Sequence, residues 1–400
     1  MSKYDDLFDD TAPIESVFAN KGALDPLADP AEIIAREEQE QQLARILNGV
    51  YEGYLPTTVS IYGPPGTGKT MTTRRVCEEF AARTDSVAVE HVNLKECRTI
   101  FSAANEILFE ATGEKAGAYV GLDGVFTAIW EALADYPEWT ILILDEIDQI
   151  RQDSNYDPNE FFYRLLRGEG KQQRDILLSA WTISNELVTV DLRVDSRVKS
   201  VMSDEQVFFS HYDAAELQQI LQPRLKDAFR EGALPDPVRT AGIKIAAQQW
   251  GDVRKTLTLF RRAGETANER GLDTVSRACL EANVEHSDRE AIIDRIVQLP
   301  ETHLLVLTAI TGWERPDGEI VQPVTTARIQ DRLQRADGPN LQLTDRAIRE
   351  RVTDLETMGL VETWVEARDD GGRAKQIETT FDPQWVREAR ERYTAARTNK

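Results

Sequence analysis

A lysine and a threonine close the stretch TTVSIYGPPGTGKT, Thr57 to Thr70, in which Gly63, Gly68, Lys69 and Thr70 fill the pattern GxxxxGK[ST]. These residue types at this spacing hold phosphate. Glycines let successive backbone N–H groups point inward at an anion. A following helix start adds the positive end of its dipole. Lys69 can reach the β and γ phosphates, and the Thr70 hydroxyl can ligate Mg²⁺. Seventy-odd residues on, ILILDEID places Asp145 and Glu146 directly after an apolar run. Asp145 can hold Mg²⁺ through water, and Glu146 can orient the attacking water or accept its proton.

Such groups need elements to hold them. Val59 to Tyr62 is an apolar, β-prone run, and Met71 to Ala82 is helix-prone, so the loop lies between a strand and a helix. Ser86 to Asn93 alternates as a strand. Thr99 to Ala134 reads as helix with a glycine-rich interruption, GEKAGAYVGLDG. Ile141 to Leu144 reads as a buried strand, and ligands of open α/β sheets bind at the carboxyl ends of such strands. Asp175 to Asn185 is another apolar strand, ending on Asn185 where a γ-phosphate or its water would be touched. Asp204 to Phe209 is a short last strand. In VDSRVKS, Arg197 is a candidate arginine finger or interface arginine.

After the last strand the pattern changes. Asp213 and Glu216 carry a capping signature, and an all-helical region begins there. Within it GDVRK places Arg254 at a helix start, from which it could reach back to a nucleotide. Before the first strand, Ala31 to Gly53 has helical periodicity, and residues 1–30, rich in Asp, Ala and Pro, read as a flexible acidic arm. The sequence therefore divides into 1–30, an α/β nucleotide-binding region 31–208, a helical lid 209–286 and a last region 287–400.

That last region reads as an amphipathic run, Ile292 to Ile310, then a helix with Arg328 and Arg332, Thr325 to Gln334. A second helix, Thr344 to Met358, follows with Thr344 as N-cap and Gly359 as stop. It carries Ala347, Ile348, Val352 and Leu355 on one face, and Arg346, Arg349 and Arg351 along it. Strands Leu360 to Ala367 and Gln376 to Phe381 flank the turn RDDGGRAK. Helix, helix, hairpin is the layout of a winged helix, whose second helix enters the DNA major groove while the hairpin lies along the backbone. Arg373 and Lys375 lie on that hairpin.

The formal net charge is −22 over 400 residues, with 12 Lys against 35 Arg. An acidic, lysine-poor surface resembles the proteins of salt-accumulating halophiles. In molar salt the Debye length falls to ~3 Å, so global charge does not exclude DNA as a partner. From Asp288 onward there are 17 basic and 21 acidic residues, net −4, so the acid excess is concentrated upstream. No apolar run approaches the ~20 residues of a membrane span, and the N-terminus lacks the basic start and apolar core of a signal peptide. A cytoplasmic protein, nucleoid-associated if it binds DNA, with no membrane partner, is expected. Three scattered cysteines give neither a disulfide framework nor a zinc site.

GPPGTGKT, LILDEID, TISN and GDVRK, in this order and followed by a winged helix, resemble the AAA+ family. More narrowly, with SRVKS, HYDAAEL and the run Arg261 to Glu265, the chain resembles the archaeal replication initiators, relatives of the eukaryotic origin-recognition large subunit and the helicase-loading cell-division-cycle protein. The resemblance covers about Ala31 to Phe381. It implies a parallel-sheet AAA+ domain with a helical lid and a C-terminal winged helix, and an ATPase with ATP or ADP and Mg²⁺ as cofactors. Its partners would be double-stranded origin DNA, the replicative helicase and other copies or paralogues of the chain. It further implies Gly66 to Thr70 at the phosphates, Asp145 and Glu146 as the Walker-B pair, Asn185 as sensor 1, Arg254 as sensor 2, and Tyr212 and Arg224 as nucleotide contacts at the lid boundary. An inserted DNA-touching helix would fall within Cys97 to Leu122. Departures from the family pattern are the acidic wing tip, with Asp369 and Asp370, Ser196 before Arg197 and Asp345 at the second helix's start. An AAA+ regulator whose winged helix binds a protein or a promoter is the alternative; a clamp-loader ATPase is disfavoured by the terminal hairpin.

Overall fold

The computed structural model describes residues 16–28, 30, 32–152, 156–167, 176–187, 195–199, 202, 205–315, 319–335, 343–367 and 373–398. These form two compact units, 1–280 and 281–400. The first holds a five-stranded sheet in the order β2-β3-β4-β1-β5, every pair parallel. Its strands are β1 (Thr58–Tyr62), β2 (Val87–Asn93), β3 (Trp139–Asp145), β4 (Leu177–Ser184) and β5 (Glu205–Phe208). β3 is buried along its whole length, as a strand with helices over both faces must be, and this is why its sequence runs apolar without alternating. Helices α1 (Glu37–Asn48), α2 (Lys69–Ala81), α3 (Ile100–Thr112), α4 (Gly121–Leu133) and α5 (Pro158–Arg167) connect or flank these strands.

Register fixes where the strands end. Tyr62 lies beside Ser184, and Asp145 lies beside Asn93 and Ile183. The carboxyl ends of β1, β3 and β4 therefore form one row. The phosphate loop, Asp145 with Glu146, and Asn185 leave the sheet side by side.

A short helix, α6 (Ser196–Lys199), precedes β5, and the helical region follows with α7 (Ala214–Ala228), α8 (Asp236–Gln249) and α9 (Val253–Glu269). The α7 start is a complete capping box. Asp213 Oδ1 accepts from the N–H groups of Ala215 and Glu216 at 2.8 Å, and Glu216 Oε2 accepts from Asp213 N at 2.8 Å. Such reciprocal caps satisfy two orphan donors at once.

Residues 16–28 depart from the expected loose arm. Val17 and Leu24 are wholly buried, Phe18 bridges to Phe229 with ring centroids 5.1 Å apart, and Val17 N donates to Asn268 Oδ1 at 2.8 Å. Their apolar side chains fill the groove between α7 and α9, and Gly264 leaves room for the Phe18 ring. The composition hid this because acidic and proline residues surround only a few anchors.

The division between units falls within α10 (Arg277–Val297). The second unit contains α11 (Glu301–Ile310), β6 (Val324–Thr325), α12 (Thr326–Arg335), α13 (Asp345–Thr357), β7 (Val361–Ala367), β8 (Arg373–Thr379) and α14 (Trp385–Thr398). Its antiparallel sheet has the order β6-β8-β7. Ile329, Ile348, Val352, Leu355, Val361 and Ile377 form the core of this winged helix. The amphipathic run Ile292 to Ile310 spans two helices, the end of α10 and the whole of α11, with Pro300 at the N-cap of α11, where a proline interrupts a continuous helix. The wing tip, 368–372, lies outside the described residues.

Candidate nucleotide site

Eleven of the predicted nucleotide-site residues line one cavity of about 630 Å³ in the first unit: Gly66, Thr67, Gly68, Lys69, Thr70, Asp145, Glu146, Asn185, Tyr212, Arg224 and Arg254. Its wall also includes Ala23, Pro26, Leu27 and Ala28 of the N-terminal segment and Ile220 and Leu257 of the lid helices. The phosphate end is polar and the far wall apolar, which suits a nucleotide.

Gly66 and Gly68 adopt left-handed backbone, φ 71° and 88°. A Cβ on Gly66 would overlap the Asp252 carboxylate, and one on Gly68 would lie 2.8 Å from the Tyr212 hydroxyl. Lys69 Nζ donates to the carbonyls of Gly63 and Pro64 at 2.7 and 2.8 Å. Burial lowers its pKa, against the opposing pull of Glu146 and Asp145. Thr70 Oγ1 donates to Asp145 Oδ2 at 2.9 Å, and Asp145 Oδ1 accepts from Glu146 N at 3.0 Å. Glu146 has φ 57°, a conformation that side-chain-bearing residues rarely adopt. Burial, then the charges of Asp145 and Asp148, push its pKa up, the direction expected of a carboxylate suited to take a proton. Asn185 is exposed at the end of β4.

Thr70 and Asp145 fit a divalent cation: a hydroxyl and a carboxylate oxygen, hard donors already 2.9 Å apart at the cavity wall.

Arg254 enters from the second residue of α9, and its charge acts on Lys69. Tyr212 is buried beneath the loop. Arg224 borders the cavity, but its guanidinium donates to backbone carbonyls, Nε to Ala23 at 2.9 Å and Nη2 to Asp25 at 2.5 Å. The structure thus places Arg224 as a clamp on the N-terminal segment. Arg197 lies in α6, and its side chain is outside the described residues.

Three residues near the site carried no role in the sequence reading. Asp252 caps α9 by accepting from Lys255 N at 3.1 Å, and an Asp just before a helix is a legible cap signal. His91 Nε2 lies 3.5 Å from Asp145 Oδ2. Arg36 is 2% exposed, and nothing in its sequence surroundings, a run of glutamates and glutamines, marks it as buried.

On the second unit the predicted DNA residues do not converge on a pocket. Arg346 pairs with Glu350 at 2.9 Å, Arg349 with Asp345 at 2.5 Å and Lys375 with Glu356 at 3.4 Å. Arg328 stands 5.9 Å from the Trp313 ring, and Arg332 Nε lies against Gly312. The side chain of Arg373 is outside the described residues. In the stretch expected to hold an inserted helix, α3 buries one face, with Ile100, Ala103, Ala104 and Ile107, and Tyr119 beyond it is fully exposed.

Comparison with known proteins agrees with this geometry. Residues 59–204 match the ATPase family associated with various cellular activities, and residues 218–285 match the Cdc6 AAA+ ATPase-type lid domain. An ORC1-type DNA replication protein of Thermococcus onnurineus is 31% identical over 394 residues, covering 96% of this chain and 93% of that protein. The chain belongs to the ORC1-type DNA replication proteins. A family member of Halobacterium salinarum, ORC1-type DNA replication protein 4, is 32% identical over 308 residues, 74% of this chain and 73% of that one. The Aeropyrum pernix ORC1 protein, solved in complex with DNA, superposes with a TM-score of 0.73 at 27% identity, covering 95% of this chain and 98% of that one. The AAA+ domain, the Cdc6-type lid and the ATPase assignment follow from the family. No helix among the described residues is long and apolar enough to cross a membrane.

Proposed function

We propose that this family member is an ATP-dependent initiator of DNA replication that binds double-stranded origin DNA and helps recruit the replicative helicase. The observation that carries the reading is the meeting of Lys69, Thr70, Asp145, Glu146, Asn185 and Arg254 on one cavity wall, in a chain that also carries a winged helix. Gly66 to Thr70 bind the phosphates of ATP or ADP. Thr70 and Asp145 hold Mg²⁺, which neutralises phosphate charge when bound. Glu146 orients water and takes its proton, and Asn185 orients the same water. Arg254 reaches the phosphates from the lid, and Tyr212 supports the loop from beneath. Arg197 serves as an arginine finger in its own chain or toward a second copy or paralogue.

Hydrolysis acts as a slow switch: ATP favours one lid position because it binds the two positions with different affinity. The winged helix places α13 in the major groove, with Arg346 and Arg349 toward DNA, Arg328 and Arg332 of α12 beside them, and Arg373 and Lys375 along the backbone. We place the protein in the cytoplasm at the nucleoid, and the acidic, lysine-poor composition suits a halophile's interior. The regulator alternative is not favoured, because the family likeness runs the length of the chain.

Footprinting on chromosomal DNA at high KCl tests the reading. Protection of repeated, inverted sites is expected, and the ATP and ADP binding of the wild type should be strongly weakened in Lys69→Ala. No protection, or nucleotide binding intact in that variant, overturns it.

A further inference from the structure

Arg36 is buried and positively charged, yet it does not line the nucleotide cavity. Its Nε–H donates to the Thr67 carbonyl at 2.9 Å, Nη2 to the Ser210 carbonyl at 2.9 Å and Nη1 to the Ala35 carbonyl at 3.0 Å. Its guanidinium lies over the Tyr212 ring, 3.6 Å from the centroid, and 3.9 Å from the Glu216 carboxylate. One side chain thus joins the phosphate loop, the segment between β5 and the lid, and the first lid helix.

The Thr67 contact has a geometric consequence. A trans peptide unit is planar, so its C=O and N–H point in opposite directions. Holding the Thr67 carbonyl away from the cavity turns the N–H of Gly68 toward it. The preceding peptide is held in the same way from the lid: Val253 N donates to the Gly66 carbonyl at 3.3 Å, which turns the N–H of Thr67. A backbone anion site depends on such orientation of successive N–H groups. The backbone supplies a separate indication. Ala35, immediately before Arg36, has φ 61°, a left-handed conformation costly for a residue with a Cβ, and such strain persists where surroundings over-determine a site.

We infer that Arg36 is a positioning residue of the phosphate site. It presets the Gly68 N–H for phosphate and ties that setting to the lid through Ser210, Tyr212 and Glu216. This inference rests on the nucleotide reading above and adds that phosphate affinity depends on a guanidinium that never touches the nucleotide.

The full-length protein, Arg36→Met and Arg36→Lys should be compared by titration calorimetry with ADP and by competition with adenosine, which lacks phosphate. Both variants should bind ADP about tenfold or more weakly, the scale of one lost charge-assisted hydrogen bond, with adenosine affinity changed less than twofold. Lys should not rescue, because an ammonium is a point charge and cannot span carbonyls on two segments as a planar fork does. Unchanged ADP affinity, an equal loss for adenosine, or full rescue by Lys would each overturn the inference. If Arg36→Met does not fold, Arg36→Lys carries the same test. A wild type that fails to bind ADP would instead overturn the nucleotide reading itself.

Discussion

The two units hold their positive charges in opposite ways. In the first, Lys69 rests on the carbonyls of Gly63 and Pro64, and Arg36 on those of Thr67, Ser210 and Ala35. Carbonyls take these hydrogen bonds, and the Glu216 carboxylate stands 3.9 Å from Arg36, beyond hydrogen-bond reach, so neither cation is capped by a directly bonded acid. On α13 of the second unit, Arg346 and Arg349 lie across from carboxylates four residues away. Both pairs are exposed, and each cancels its own charge. Spacing of i,i+4 stabilises a helix by only ~0.3–0.5 kcal/mol per exposed pair, so the acids are weak competitors that an approaching phosphate can displace. The nucleotide site is prepared in advance, whereas the proposed DNA face would require an exchange.

The sharpest way to break the contrast is in the first unit. Glu146→Gln should leave ATP binding near wild type while lowering turnover by roughly 10²–10⁴-fold, the scale of a lost general base, as read by phosphate release alongside calorimetry. Equal losses in both would show that Glu146 binds rather than reacts. Next comes Lys69→Ala, for which a 10- to 100-fold loss of ADP affinity is expected, about one hydrogen bond to a charged group. The pH profile follows. A base works deprotonated, so turnover rises with pH. Because burial pushes the Glu146 pKa up, the acid limb should lie above the ordinary glutamate value of 4.5; a limb at or below it counts against Glu146 as the base.

The smallest effect tests the second unit. Replacing the competing acids, Asp345→Asn with Glu350→Gln, should tighten DNA binding about two- to fivefold, the sum of two exposed pairs, as read by fluorescence anisotropy at fixed salt. A weakened or unchanged affinity would mean that α13 does not present these arginines to DNA.

Much of the first unit was legible because its chemistry sits in contiguous motifs at strand ends. The strand that ends on Asp145 and the cap at Asp213 are local signals, and the family model places the lid. What escaped is non-local. Arg36 is recognisable only once Thr67 and Ser210 come together around it, and Arg224 binds a segment about 200 residues upstream. The Arg–acid pairs of α13 did have a signal, the four-residue spacing of Asp345 with Arg349 and Arg346 with Glu350. The Pro300 break was likewise written in one residue.

The docked N-terminal segment has a consequence for biosynthesis. Val17 is bonded to Asn268, 251 positions away, and Ala23 and Asp25 are gripped by Arg224. A ribosome makes these residues well before their partners. Contacts this distant in sequence form late in folding, after the loop between them has closed. The wall of the cavity that contains Ala23, Pro26 and Leu27 therefore closes only after the lid helices have been made, α7 with Arg224 gripping Ala23 and Asp25 and α9 with Asn268 holding Val17. A growing chain carries the phosphate motif long before it carries the lid helices that finish the nucleotide pocket, so full nucleotide binding waits until synthesis has passed the lid.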